Sequence, residues 1–98
     1  MKDQSHQIMS IVQEEAAEVI QAISKVFRFG LDTKWNGISN REHLEEELGD
    51  LQAMIQLLIQ TDIVSNEKVK DAAAKKLIKL QKWSSIAISK EINWQLIT

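Results

Sequence analysis

A chain of 98 residues with no proline and only three glycines has little with which to interrupt a helix. Proline removes a backbone donor and clashes with the preceding turn, and glycine costs about 1 kcal/mol in a helix interior. Long unbroken helices are therefore expected, and the apolar residues fall at helical spacing. Ile8, Ile11, Val12, Val19, Ile23 and Val26 trace one stripe of a first helix from Asp3 or Ser5 to Phe29, where Gly30 offers a left-handed stop. Residues 30–40 form a connection with a turn signal at Asn36-Gly37. The capping box Ser39-Asn40-Arg41-Glu42 opens a second helix, which runs to Gln60 through Leu44, Leu48, Leu51, Ile55, Leu58 and Ile59. Ser65 or Asn66 caps a lysine-rich third helix that continues through Val69, Ala73, Leu77, Ile78 and Leu80 to Trp83.

From Ile86 the apolar residues alternate through Ile88, Ile92, Trp94 and Leu96. That pattern fits a strand or extended arm laid across a neighbouring subunit, and a short fourth helix fits almost as well. The chain thus reads as one all-α domain over 1–98, with a core over 3–83 and a C-terminal arm over 84–98. A domain this small has difficulty covering its own core. On the second helix Met54 and Leu57 widen the apolar arc, so an oligomer is expected. Phe27 and Phe29 are expected to pack at the end of the first helix, and Trp83 in the core.

A net charge of −2 gives no electrostatic case for nucleic-acid binding. Without cysteine there is no thiolate site, and no apolar run reaches membrane-span length. The first residues lack a signal-peptide core, so the cytoplasm is the expected location.

Two acidic clusters carry the chemistry: Glu14-Glu15-Ala16-Ala17-Glu18 on the first helix and Glu47-Leu48-Gly49-Asp50 on the second. At about 100° per residue, Glu15 falls within the apolar stripe and Glu18 about 60° away, while Glu14 points further round. Glu47 and Asp50 lie between the two apolar sets of the second helix. Carboxylates at the edge of a core are costly unless something cationic compensates them. Four of them, Glu15, Glu18, Glu47 and Asp50, can converge across one helix pair, and an oxygen-only set suits Mg²⁺ or Mn²⁺. The same spacing also belongs to solvated acidic residues paired with lysine along a helix surface. Periodicity does not choose between the two. A di-iron site needs Glu-x-x-His pairs, which neither His6 nor His43 completes, and both histidines are expected on the surface. No glycine loop is present to cradle phosphates.

The order Glu-Glu-x-x-Glu followed by Glu-x-x-Asp resembles the signature of the all-α nucleoside triphosphate pyrophosphohydrolases, in particular the short MazG-like branch of phages and mobile elements. The resemblance runs from Ile8 to Leu58 and includes Lys25-Val26-Phe27-Arg28-Phe29-Gly30 and Leu44-Glu45-Glu46-Glu47-Leu48-Gly49-Asp50-Leu51. It implies Glu15, Glu18, Glu47 and Asp50 as Mg²⁺ ligands, with Mn²⁺ as a substitute, and Glu14 as a residue that stands behind the ligands or helps to orient the attacking water. It also implies cleavage of a nucleoside triphosphate, a deoxynucleoside triphosphate first, at the α–β bond to the monophosphate and pyrophosphate. The expected assembly is a homodimer or homotetramer whose long antiparallel helices complete a four-helix bundle.

Phosphate charge needs further compensation. Lys25 is the first candidate, then Arg28, then Lys76 and Lys79, although lysines on a helix surface are commonly just solvated. Trp35 can stack on a base or belong to the core. Two alternatives stand beside this reading. Phosphoribosyl-ATP pyrophosphohydrolase usually carries Ala-Asp-Leu and then Tyr-His, where this chain has Gly49-Asp50-Leu51-Gln52 and no tyrosine. The other is a non-enzymatic dimerisation module that keeps the acidic signature.

Overall fold

The structure, a computed structural model, describes residues 4–88. Its elements are α1 (Gln4–Phe29), β1 (Lys34–Trp35), β2 (Ile38–Ser39), α2 (Asn40–Gln60) and α3 (Asn66–Trp83). The three helices stand where the spacing places them. Contacts divide the chain between Val64 and Ser65 into two compact units. Ser84–Ile88 carry neither helix nor strand, and the rest of the expected arm lies outside the described residues. Among the described residues no helix is long and apolar enough to cross a membrane.

In the first unit α1 packs against α2. Asn40 meets Gly30 at the connection, while Glu47 meets Glu15 and Glu18 further back along α1, so the two helices are antiparallel. Ile8, Val19 and Ala22 are buried at this seam, with Val12, Leu51, Ile55 and Leu58 half-buried around them. The core is thin. Among the described residues no large side chain is fully buried. Two helices can each cover only one face, and the outer face of α1 keeps Ile20 (65% exposed) and Phe27 (85% exposed) in solvent. The expected packing of Phe27 and Phe29 at the helix end is therefore corrected, since both are exposed.

The connection is more ordered than a turn signal suggests. β1 and β2 form an antiparallel hairpin pairing Lys34 with Ser39 and Trp35 with Ile38. Its two-residue loop, Asn36-Gly37, has positive φ at both positions (54° and 79°), the geometry of a type I′ turn. Trp35, beside that turn, is 78% exposed and does not enter the core. Before the hairpin, Gly30 adopts φ 97° and ends α1, its N–H donating to Val26 O. The Thr33 hydroxyl donates to Phe29 O, Asn40 Nδ2 to Gly30 O (2.9 Å) and Arg41 N to Leu31 O (2.8 Å). Arg41 also grips Asp32 with two bonds of 2.9 and 3.2 Å. That hydrogen-bonded pair, with the guanidinium charge, holds the Asp32 carboxyl below its ordinary 3.8. The stability it contributes is complete above that value and is lost as pH falls through the lower folded one.

Ser39 closes the hairpin and caps α2 in the same residue. Its hydroxyl accepts from Glu42 N (3.0 Å) while its own N–H donates to Glu42 Oε1 (3.3 Å), the expected capping box. α2 ends in a Schellman arrangement: Asp62 N donates to Ile59 O and Ile63 N to Leu58 O, both at 3.0 Å. Asp62 occupies the left-handed position at φ 59°.

In the second unit Ser65 caps α3 by accepting from Lys68 N (3.3 Å), and Ser84 ends it, its N–H and hydroxyl both donating to Leu80 O. Trp83, expected in the core, is 77% exposed at the helix end, with Lys82 over its ring at 5.2 Å from the centroid.

A side chain in the left-handed region is strained, and a carboxylate sits poorly at a helix C-terminus. Asp62→Gly should therefore stabilise the chain by about 1 kcal/mol, read as a higher urea midpoint with an unchanged slope.

Candidate metal centre

The antiparallel seam brings three carboxylates together. Glu15 and Glu18, one turn apart on α1, and Glu47 on α2 each offer an oxygen, and these oxygens lie within 4.8 Å of one another. The helical phase explains it: Glu15 sits in the stripe that α1 presents to α2, and Glu18 follows three residues later at its flank. Glu47 is buried (8% exposed), Glu15 half-buried and Glu18 exposed.

Glu15 Oε2 and Glu47 Oε2 are buried without a hydrogen-bond partner. A buried acceptor left unpaired is destabilising, and more so when charged, so the arrangement is unfavourable as it stands. The protonation equilibria reflect this. Burial, then the charges of Glu18, Asp50 and Glu14, raise the Glu15 pKa above 4.5. Glu47 is also raised, first by the neighbouring Glu18 carboxyl, with which it can share a proton, then by burial and the Glu18 and Asp50 charges. His43 opposes that shift, its Nε2 lying 3.4 Å from Glu47 Oε1. Converging oxygen donors with unpaired buried lone pairs fit a hard divalent cation.

Asp50 is exposed and stands outside the three-oxygen group, though its charge reaches both Glu15 and Glu47. Glu14 is exposed, and its effect on Glu15 is the smallest of those acting there.

A pocket of about 590 Å³ opens between the end of α1, the hairpin and the start of α2, within the range of small-molecule sites; none of the three glutamates lines it, and His43 links it to Glu47. Lys25 and Phe29 line it from α1, Lys34, Trp35 and Ile38 from the hairpin, and Asn40 and His43 from α2. Of the residues expected to contact substrate, Lys25 and Trp35 are in this wall. Arg28 is not among its lining residues; its guanidinium lies over the Phe29 ring at 5.0 Å from the centroid. Lys76 and Lys79 are exposed on α3, in the second unit.

Sequence reasoning missed Lys34 and placed His43 on the surface. His43 is instead half-buried against Glu47. Its spacing, four residues before Glu47 on one helix face, is the signal that identifies it.

The sign of the pH dependence follows from the raised carboxyls. A group that holds its proton more tightly when folded stabilises the fold at low pH and loses that contribution as pH rises through the folded value. Without divalent cations, Glu15 and Glu47 should therefore lower the melting temperature as pH rises from about 4.5 towards neutrality. Mg²⁺ should reverse the loss, and Glu47→Gln should flatten the profile in EDTA. Thermal melts across pH with EDTA or Mg²⁺ measure all three.

Among curated proteins and solved structures, none matches the chain. The family model of the MazG nucleotide pyrophosphohydrolase domain matches residues 3–84, a span that contains both acidic motifs, the connection and α3. The family suggests a nucleotide pyrophosphohydrolase activity and is generally metal-dependent. With a match over most of its length, the chain belongs to the MazG nucleotide pyrophosphohydrolase family.

Proposed function

We propose that the chain hydrolyses a nucleoside triphosphate, with a deoxynucleoside triphosphate as the expected substrate, at the α–β bond in a Mg²⁺-dependent reaction. The observation that carries this reading is the pair of unpartnered, buried oxygens on Glu15 and Glu47, within a three-carboxylate cluster that His43 links to a pocket with aromatic and cationic walls.

Glu15, Glu18 and Glu47 hold the cation in this reading, and Asp50 adds negative charge to the site or joins the ligand set. Bound there, Mg²⁺ (or Mn²⁺) supplies neutralisation of phosphate oxygens and a water of lowered pKa. Glu14, set apart from the cluster, orients the attacking water and takes up its proton. Water oxygen bonds to phosphorus, the bridging P–O bond breaks, and the monophosphate and pyrophosphate leave.

In the pocket, Lys25 and Lys34 offset phosphate charge. Trp35 and Phe29 offer flat apolar faces to the base. Lys25 and Lys34 are better placed for this than Arg28, which is engaged with Phe29. The exposed Ile20 and Phe27 on α1 support a homodimer or homotetramer in which a partner's helices complete a four-helix bundle.

Glu47→Gln keeps the side-chain volume and removes the charge. It should cut Mg²⁺-dependent pyrophosphate release by roughly 100-fold or more, and a variant as active as the parent sinks the assignment. Trp35→Ala should raise KM roughly tenfold with little change in kcat, measured on the triphosphate the parent cleaves fastest.

A further inference from the structure

His43 has no role in the reaction above, yet it belongs to both halves of the site. Its Nε2 lies 3.4 Å from Glu47 Oε1, and its ring shares the pocket wall with Lys25 and Trp35. The two acidic motifs themselves contain no histidine. The contact is sheltered: the Glu47 side chain is 11% exposed and that of His43 34%.

The two oxygens of Glu47 have different surroundings. Oε1 has the imidazole beside it, and Oε2 is buried with no hydrogen-bond partner. Terminal carboxyl torsions are broad and soft, so an ionised Glu47 among other carboxylates would turn away from them unless held. An imidazole 3.4 Å from one oxygen limits that rotation and leaves the other free for a cation. Groups behind a ligand that fix its orientation in this way strengthen metal binding.

We propose that His43 is a positioning residue, holding Glu47 through Oε1 so that Oε2 remains available to the divalent cation. This rests on the reading of the cluster as a cation site. Because the ring is also pocket wall, the geometry of the cluster is tied to that of the pocket.

The test is a Mn²⁺ titration of the metal-free chain without nucleotide, by calorimetry or by loss of the free-ion paramagnetic resonance signal. It compares the parent, His43→Ala and His43→Gln, with thermal melts to verify folding. His43→Ala should bind Mn²⁺ about 10- to 100-fold more weakly. His43→Gln, whose amide N–H reaches about where Nε2 stands, should recover most of the affinity. The Mg²⁺ concentration giving half-maximal pyrophosphate release should rise by the same factor in His43→Ala. Parent-like Mn²⁺ affinity in His43→Ala overturns the proposal, and so does a His43→Gln as weak as His43→Ala. A parent that takes up no Mn²⁺ overturns the cation reading of the cluster and this proposal with it, whereas equal binding by parent and His43→Ala overturns this proposal alone. Should His43→Ala fail to fold, His43→Leu against His43→Gln makes the same comparison with the ring's space filled.

Discussion

The mutual repulsion of carboxylates across the α1–α2 seam is the constraint around which the first unit is arranged. Glu15, Glu18 and Glu47 bring their oxygens within 4.8 Å of one another, with the Asp50 charge close enough to act on two of them. Like charges at this range, partly shielded from water, oppose the packing that places them there. The apolar contacts of Ile8, Val19 and Ala22 must outweigh that opposition in the absence of a cation. With so thin a core the margin is small.

What keeps the site in shape is largely the connection. Gly30, Leu31 and Thr33 exchange hydrogen bonds with Asn40, Arg41 and Phe29, and Asp32 is tied to Arg41. These bonds are local and mostly exposed, so each contributes little alone. Together they fix the path by which the chain leaves α1 and enters α2, and hence the pairing of Glu47 with Glu15 and Glu18. The hairpin that carries Lys34 and Trp35 grows from this fixed path, with Ser39 its one buried side chain.

Helix positions were legible because caps and the lack of proline left few other solutions. Glu15, Glu18 and Glu47 were legible because a 100° step assigns each residue a face. A helical wheel gives direction, however, and not whether a neighbour stands there. Phe27, Phe29 and Trp83 were expected to be covered and are exposed, since the described elements provide nothing to cover them. Strands of two residues are too short to show alternation, so of the hairpin only Asn36-Gly37 could be read. His43 was misplaced for a different reason. Its pairing with Glu47 is an i, i+4 relation, which appears only when the two residues are read as a pair on one helix face.

Ser39 is the last residue of β2, a buried side chain and the N-cap of α2 at once. No linker separates hairpin from helix, so the joint has no slack. An inserted or deleted residue at this joint would remove the cap and rotate the whole of α2 by about 100°, carrying His43 and Glu47 off the seam together. The tip of the hairpin stands in open space, with nothing within 4 Å of a Cβ added at Gly37. The chain can therefore vary the reach of its pocket wall while the phase of its carboxylates stays locked.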